Sequence, residues 1–433
     1  MKILKSSINS LSILAKTQTA KNTYLTSFSY IINGFAVLIF NLVCSRSLGP
    51  SSFGVFSIAL TIYLVTYNLF GFGIDQGMIR FIAFYSGKNN LAKAHAFAKF
   101  ALLFRIIAGV LIACLGFTLS DIIANQIFHL PDLALLLKLT FLGEFGLGLL
   151  SWLVRFFMGQ QDFKRVAIFE STKGSLRLIF LAVLFISAHL NSFWATAAYT
   201  LTPLIIFILG FMTISKTFFK AKITPDVITK LIHFSKWLFI WEATATFHSR
   251  IDVLMLARFK TSFDVGIYSV ASGIIVGFIW LISAFSNVLA PKLSQIQTQT
   301  QFVKIIKKSL IGVSVIFFFI VLSFIFAKPI IILLFSSVYE KSIPAFQILC
   351  LGIAFFSLNT PFMSSLYAIG KSKSIALLSI FQLFLLILFN LFTIPAFGIL
   401  GPAITFAAVN LIILLMTIYL IFIPFKKGTL FSR

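Results

Sequence analysis

Apolar runs of about eighteen residues or more, nearly free of charge, recur along almost the whole of this 433-residue chain. A run of that length is what an α-helix needs to cross about 30 Å of hydrocarbon. So many of them leave no surface that water could cover. The chain is 59% hydrophobic and 11% charged, whereas a soluble domain carries about 25% charged residues. Its mean hydropathy is +1.04. The pattern therefore predicts an all-α polytopic membrane protein of about twelve transmembrane helices.

The expected spans are 23–43, 55–78, 100–119, 133–154, 166–187, 193–214, 235–257, 266–289, 309–327, 345–368, 374–394 and 400–423. Basic residues mark the cytoplasmic connections of such proteins. The N-terminus, the connections near 80–99, 155–173, 215–236, 291–308 and 371–373, and the C-terminus together hold 26 of the 35 Lys and Arg residues. The opposite connections hold five, among them Arg46, Arg258, Lys260, Lys328 and Lys341. Both termini are thus expected to be cytoplasmic. The net charge of +24 belongs to those connections and to anionic headgroups rather than to nucleic acid.

The chain also repeats itself. Gly54-Val55-Phe56-Ser57-Ile58-Ala59, eight residues after Arg46, matches Gly266-Ile267-Tyr268-Ser269-Val270-Ala271, eight residues after Arg258. An even number of spans separates the copies, so two six-helix lobes would enter the membrane the same way, about an axis along its normal. The expected organisation is an amphipathic cytoplasmic segment 1–22, a first lobe 23–215, a basic linker 216–233, a second lobe 234–425 and a cytoplasmic tail 426–433. Residues 1–22 are broken by polar positions and lack a cleavage site, so they read as an interfacial helix rather than a signal peptide.

No enzyme constellation is present in the sequence. There is no phosphate-cradling G-x-x-x-x-G-K-[ST], no G-x-S-x-G and no H-E-x-x-H. Cys44, Cys114 and Cys350 lie far apart, so neither a disulfide framework nor a metal site is predicted. Every connection is short, which leaves no room for an extramembrane catalytic domain.

What remains is charge inside the spans: Arg105, Lys138, Arg177 and Arg250, with Asp75, Glu144, Glu170, Glu242 and Asp252. Each costs about 2.5–3.5 kcal/mol at mid-bilayer, so these groups should face a wet cavity or one another. Glu170, Lys173 and Arg177 fall at i, i+3 and i+7, one charged stripe opposite the apolar Ile168, Leu176 and Ile179. The stripe reads equally as an internally paired structural feature or as a lumen wall. In span seven, His248 and Asp252 share a face, and Arg250 points elsewhere. His248 alone reads as a packing residue. In span two, Gly73 and Gly77 form a G-x-x-x-G that admits a neighbouring helix. Arg80, four residues after Gln76, snorkels to headgroups or guards a mouth.

The segment Ser45-Arg46-Ser47-Leu48-Gly49-Pro50-Ser51-Ser52-Phe53-Gly54 resembles the first-loop signature of the polysaccharide repeat-unit (O-antigen) flippases, the Wzx-like family. These share a superfamily (MOP) with the MATE multidrug exporters and the lipid II flippases. Further matches are Gly71–Arg80, Arg250–Leu254 leading into Val265–Tyr268, Ile332–Tyr339, Leu366–Lys371 and Ile394–Gly401, spread over nearly the whole chain. The chain departs from the pattern at Phe56, where Tyr is commoner, and in having twelve expected spans rather than fourteen.

The resemblance implies two six-helix lobes around a central cavity. It implies a substrate built of undecaprenyl diphosphate and a short glycan, moved by alternating access while its lipid tail stays in the bilayer. A diphosphate needs cationic partners in a low-dielectric cavity. Arg105, Lys138, Arg177 and Arg250 are the candidates, with Arg46 and Arg80 at the mouths. Asp75, Glu144, Glu170, Glu242, His248 and Asp252 are the candidates for charge balance or for a coupling H+ or Na+; no other cofactor is expected. Membrane lipids, a polysaccharide polymerase and chain-length proteins are the expected partners. The competing readings are a cation-coupled exporter of soluble drugs or metabolites, which would want an anionic site, and a passive scaffold or polymerase, which the polar spans and short loops disfavour.

Overall fold

The computed structural model describes residues 18–293, 298–369 and 371–426. The expected N-terminal segment up to residue 17 and the tail from residue 427 lie outside the described residues. Fourteen α-helices account for nearly all of the described chain, and no strand occurs among those residues. They are α1 (Gln18–Leu69), α2 (Ile74–Gly87), α3 (Leu91–Ile122), α4 (Leu133–Gly159), α5 (Phe163–Ile186), α6 (Ser192–Phe211) and α7 (Lys216–Lys220). After them come α8 (Pro225–Phe259), α9 (Ser262–Leu293), α10 (Gln299–Ile325), α11 (Ala327–Phe335), α12 (Ile343–Ala368), α13 (Ser372–Phe397) and α14 (Leu400–Lys426).

Nine segments among the described residues are long and apolar enough to cross a membrane. One of them, Tyr24–Leu69, is 46 residues long and takes in nearly all of the first expected span and the larger part of the second. At 1.5 Å per residue it is about 70 Å long, enough for two crossings. The two expected spans absent from the nine are the fifth and seventh, on α5 and α8, which carry Glu170 and Arg177 and Glu242, Arg250 and Asp252. The chain is a multi-pass helical membrane protein.

Two local differences from the sequence expectation have clear causes. The connection expected between spans one and two is not a loop. Gly49, at φ +73°, kinks α1, and Pro50 resumes the helix directly, its fixed φ suiting a first helical turn. Span two, expected to run unbroken to residue 78, is interrupted at Phe70–Gly73 and resumes as α2. Phe72 and Gly73 both adopt positive φ, at 48° and 65°. In addition, α8 begins at Pro225, so the basic stretch before span seven is largely helical.

The chain forms two compact units. Among the described residues, the first comprises 18–47, 62–126 and 131–243, and the second takes 48–61, 127–130 and those from 244 onward. The first is built on α4. Gly143 and Gly146 of α4 let α6 approach so closely that an added Cβ would meet the Thr200 and Leu204 backbone. Trp152, Phe156 and Phe157 fill its core with Phe97 and Phe218, and the Trp152 indole donates to the Ala98 carbonyl at 2.9 Å. The predicted G-x-x-x-G does admit a helix: at Gly73 and Gly77 an added Cβ would strike Ser235, Phe239 and Leu231 of α8.

In the second unit the two copies of the repeat meet. A Cβ on Gly54 would collide with the Ser262 carbonyl, and one on Gly266 with the Pro50 carbonyl. Pro50 and Ser262 are themselves related by the repeat offset. The contact is therefore reciprocal, as a local two-fold relation requires.

Candidate functional site

Within the first unit lies a cavity of about 310 Å³ whose lining sets charged and hydroxyl groups among aliphatic side chains. Four helices supply its charge and hydroxyl groups. Tyr30 and Asn33 come from the first half of α1, and Tyr63 and Tyr67 from its second half. Ser151 and Arg155 come from α4, Glu170, Lys173 and Arg177 from α5, and Tyr199 from α6. The helical repeat explains each set. Tyr63 and Tyr67 are one turn apart, as are Ser151 and Arg155, and Glu170, Lys173 and Arg177 stack along one stripe.

Both readings of that stripe hold in part. Lys173 Nζ lies 2.6 Å from Glu170 Oε2, so the stripe is internally paired, and all three residues also line the cavity. Its opposite face is exposed at Ile168 and Ile179, as a lipid-facing surface should be.

Arg177 is buried. Its Nε donates to the Tyr199 carbonyl at 3.2 Å, and its guanidinium sits 3.8 Å from the Tyr199 ring centroid. Arg155 has no carboxylate within salt-bridge distance among the described residues. Its electrostatic neighbours are Tyr67, Asp75, Tyr30 and Glu242. Cations in the lining thus outnumber its single carboxylate, Glu170, three to one. Two buried polar atoms of residues that line the cavity, Asn33 Oδ1 and Tyr63 OH, have no hydrogen-bond partner among the described residues.

Behind this lining stands a buried relay. The Tyr67 hydroxyl donates to Ser151 Oγ at 2.6 Å, and Ser151 Oγ donates to Asp75 Oδ2 at 2.9 Å. Arg105 forks onto the same carboxylate, Nη2 to Oδ2 at 2.7 Å and Nε to Oδ1 at 3.3 Å. The pair is nearly sealed, with 4% and 9% of the two side chains exposed. Its charges are therefore neutralised by each other rather than by solvent. Gly71, in the break before α2, gives Arg105 its room. Glu144 Oε1 and the Arg105 guanidinium both lie against Gly148, while Glu144 Oε2 is buried without a donor among the described residues.

A family profile described as "Polysaccharide biosynthesis protein" matches residues 43–344. The chain belongs to the polysaccharide biosynthesis protein family. This family member is 24% identical over 410 residues to a putative O-antigen transporter of Shigella flexneri, covering 89% of this chain and 94% of that protein. It is 24% identical over 418 residues to an uncharacterized membrane protein of Methanocaldococcus jannaschii, covering 90% and 81%. Its fold matches an inward-facing MATE-family multidrug resistance transporter of the MOP superfamily, with TM-score 0.76, 14% identity, and 93% and 96% of the two chains covered. It also matches the lipid II flippase MurJ in an inward closed conformation, with TM-score 0.74, 15% identity, and 94% and 90% covered.

The remaining residues singled out in the sequence of this polysaccharide biosynthesis family member lie elsewhere. Arg46 and Arg80 are exposed, and Arg80 stacks its guanidinium 4.3 Å from the Phe234 ring centroid. Lys138 pairs with Asp121 at 2.8 Å in a partly exposed salt bridge. Glu242 is half-buried on α8, facing Gly73, Asp75 and Arg155 electrostatically. His248, Arg250 and Asp252 belong to the second unit. There Asp252 accepts from the Tyr268 hydroxyl at 2.6 Å, and Arg250 acts on it electrostatically. Sequence reasoning missed Arg155, counting it in a basic connection. Glu144, Gly148, Ser151 and Arg155 nevertheless fall at i, i+4, i+7 and i+11, one polar stripe down α4.

Proposed function

We propose that this protein is a flippase that moves a lipid-linked oligosaccharide, a short glycan on undecaprenyl diphosphate, across the membrane by alternating access for surface polysaccharide synthesis. The observation that carries the reading is the membrane-embedded cavity of about 310 Å³ in which Arg155, Lys173 and Arg177 face a single carboxylate already paired to Lys173. Arginine forks suit phosphate and acidic sugars, and low surrounding dielectric strengthens the attraction. Family membership and the Shigella relative's name support the same reading. The relatives are named as transporters or membrane proteins, which accords with transport rather than catalysis.

We assign the coupling step to Glu144. Asp75 is neutralised by Arg105, whereas Glu144 keeps one carboxylate oxygen buried without a donor, and that oxygen is where H+ or Na+ would bind. The MATE-like fold keeps an exporter of soluble cationic drugs as the competing function. The excess of guanidinium over carboxylate in the cavity opposes it.

The test is complementation of surface-glycan export in a strain lacking this protein. Arg155→Ala and Arg177→Ala should each lower export about tenfold to a hundredfold, the loss of one charge-assisted contact of about 1.5–3 kcal/mol. Both variants should still reach the membrane in wild-type amount. Full export with both arginines replaced would sink the reading, as would restored drug resistance without glycan export.

A further inference from the structure

The first unit has a second hollow, larger and of opposite character. It encloses about 1180 Å³, above the usual range for small-molecule sites of about 300–1,000 Å³. Its walls are α3 and the first half of α8. Along α3 the lining runs from Phe100 to Ile123, about 35 Å at the helical rise, close to the depth of a hydrocarbon core. Across from it stand Ile228, Ile232, Phe239 and Ile240 of α8. Apart from Ser235 and Lys236, every lining side chain is apolar. An occupant of such a space is a long apolar chain lying along the membrane normal.

The groove adjoins the polar cavity. Phe70, Phe72 and Ile74, which flank the break before α2, line the groove. Ser151 lines the cavity. The Asp75–Arg105 pair links the two linings, Asp75 accepting from Ser151 and Arg105 packed on Gly71 of the break. Phe72 itself holds a left-handed φ of 48°, rare for a residue with a bulky side chain and a pointer to function rather than packing. Its ring is stacked 5.0 Å from Phe239 and lies 5.6 Å from Phe104, edge on.

We propose that the α3–α8 groove holds the polyisoprenoid chain of the lipid carrier, with Phe72 at the point where the chain turns toward a diphosphate in the Arg155–Lys173–Arg177 cavity. The inference rests on the flippase reading and adds the site for the lipid tail. The choice of a single isoprenoid chain over a two-chain phospholipid follows from the cationic cavity on the far side of the Asp75–Arg105 pair. One molecule bearing both a phosphate-rich head and one very long chain satisfies both hollows at once. Lys236, exposed at the groove, adds a positive charge on the same side of the balance.

The test uses the full-length protein in phosphatidylethanolamine–phosphatidylglycerol vesicles with a diazirine-tagged undecaprenyl phosphate. Photolysis should label peptides of α3 and α8, and untagged undecaprenyl phosphate should remove the label at least tenfold more effectively than added phospholipid. Leu111→Trp, which narrows the groove midway along α3, should lower labelling and glycan export at least tenfold, whereas Ile186→Trp, on the exposed face of α5, should change neither. Competition by phospholipid as effective as by undecaprenyl phosphate would mean annular lipid only and would overturn the proposal. So would label confined to other helices, or unchanged export in a stably inserted Leu111→Trp protein. If labelling behaves as expected but Arg155 and Arg177 prove dispensable for export, the groove stands and the flippase reading falls. The converse result leaves the flippase and removes the groove.

Discussion

Arg105 shows most plainly how one residue is held in this membrane. Its guanidinium is buried, forked onto Asp75, and reached through the room left by Gly71. Arg105→Ala would leave the Asp75 carboxylate buried and uncompensated, a loss of about 3–5 kcal/mol. Thermal unfolding in detergent should show a lowered midpoint, and adding Asp75→Asn should recover part of it. A double variant no more stable than the single one would mean that the pair is not coupled. The intramembrane charges at Asp75, Arg105, Glu144, Glu170 and Arg177 were legible in the sequence, because an ionised group in an apolar run is costly wherever it faces lipid. Their partners were not. Asp75 and Arg105 are thirty residues apart, and no local spacing links them. Arg155 was hidden at the end of a span, where a basic residue normally signals water. Asn33, Tyr30 and Tyr63 gave no signal at all, since neutral polar side chains are tolerated in spans. Lys138 carried the same cost as Arg105, yet it meets Asp121 in a partly exposed pair rather than lining the cavity.

At the scale of elements, glycines decide which helices touch. Gly54 and Gly266 face each other's repeat at backbone distance, with carbonyls rather than flexible side chains in the way. Gly54→Ala or Gly266→Ala therefore requires α1 and α9 to part, and either should cost about 1–3 kcal/mol or more and reduce the yield of monodisperse protein. Gly49 behaves differently. Nothing lies within 4 Å of an added Cβ there, but its φ is +73°, so Gly49→Ala should cost about 1 kcal/mol through backbone strain alone. A size-exclusion and thermal comparison of the three variants checks the order. An Ala at Gly54 as mild as one at Gly49 would contradict the close approach. The repeat was visible as matched residues, but nothing in the sequence said that its two copies touch. The breaks at Gly49 and at Phe70–Gly73 were not placed by hydropathy, because an apolar run reads the same whether or not its helix is interrupted.

For the whole molecule, the sequence conveyed the class readily: a chain so poor in charge, with basic residues concentrated in alternate connections, has few alternatives to a helical bundle in lipid. The proposed function rests on something narrower, the electrostatic sign of one cavity. Glu144→Gln should separate coupling from binding. Export should lose its dependence on the proton or sodium gradient while the variant still binds the glycolipid, and a gradient dependence equal to wild type would remove Glu144 from that role. The central claim is tested most directly by translocation of a fluorescent undecaprenyl-diphosphate oligosaccharide in proteoliposomes, read as the fraction that becomes accessible to a membrane-impermeant quencher. Wild-type protein should translocate it at least tenfold faster than protein-free vesicles, and Arg155→Gln/Arg177→Gln protein should fall to the vesicle background. Equal rates for wild type and the double variant would contradict the account.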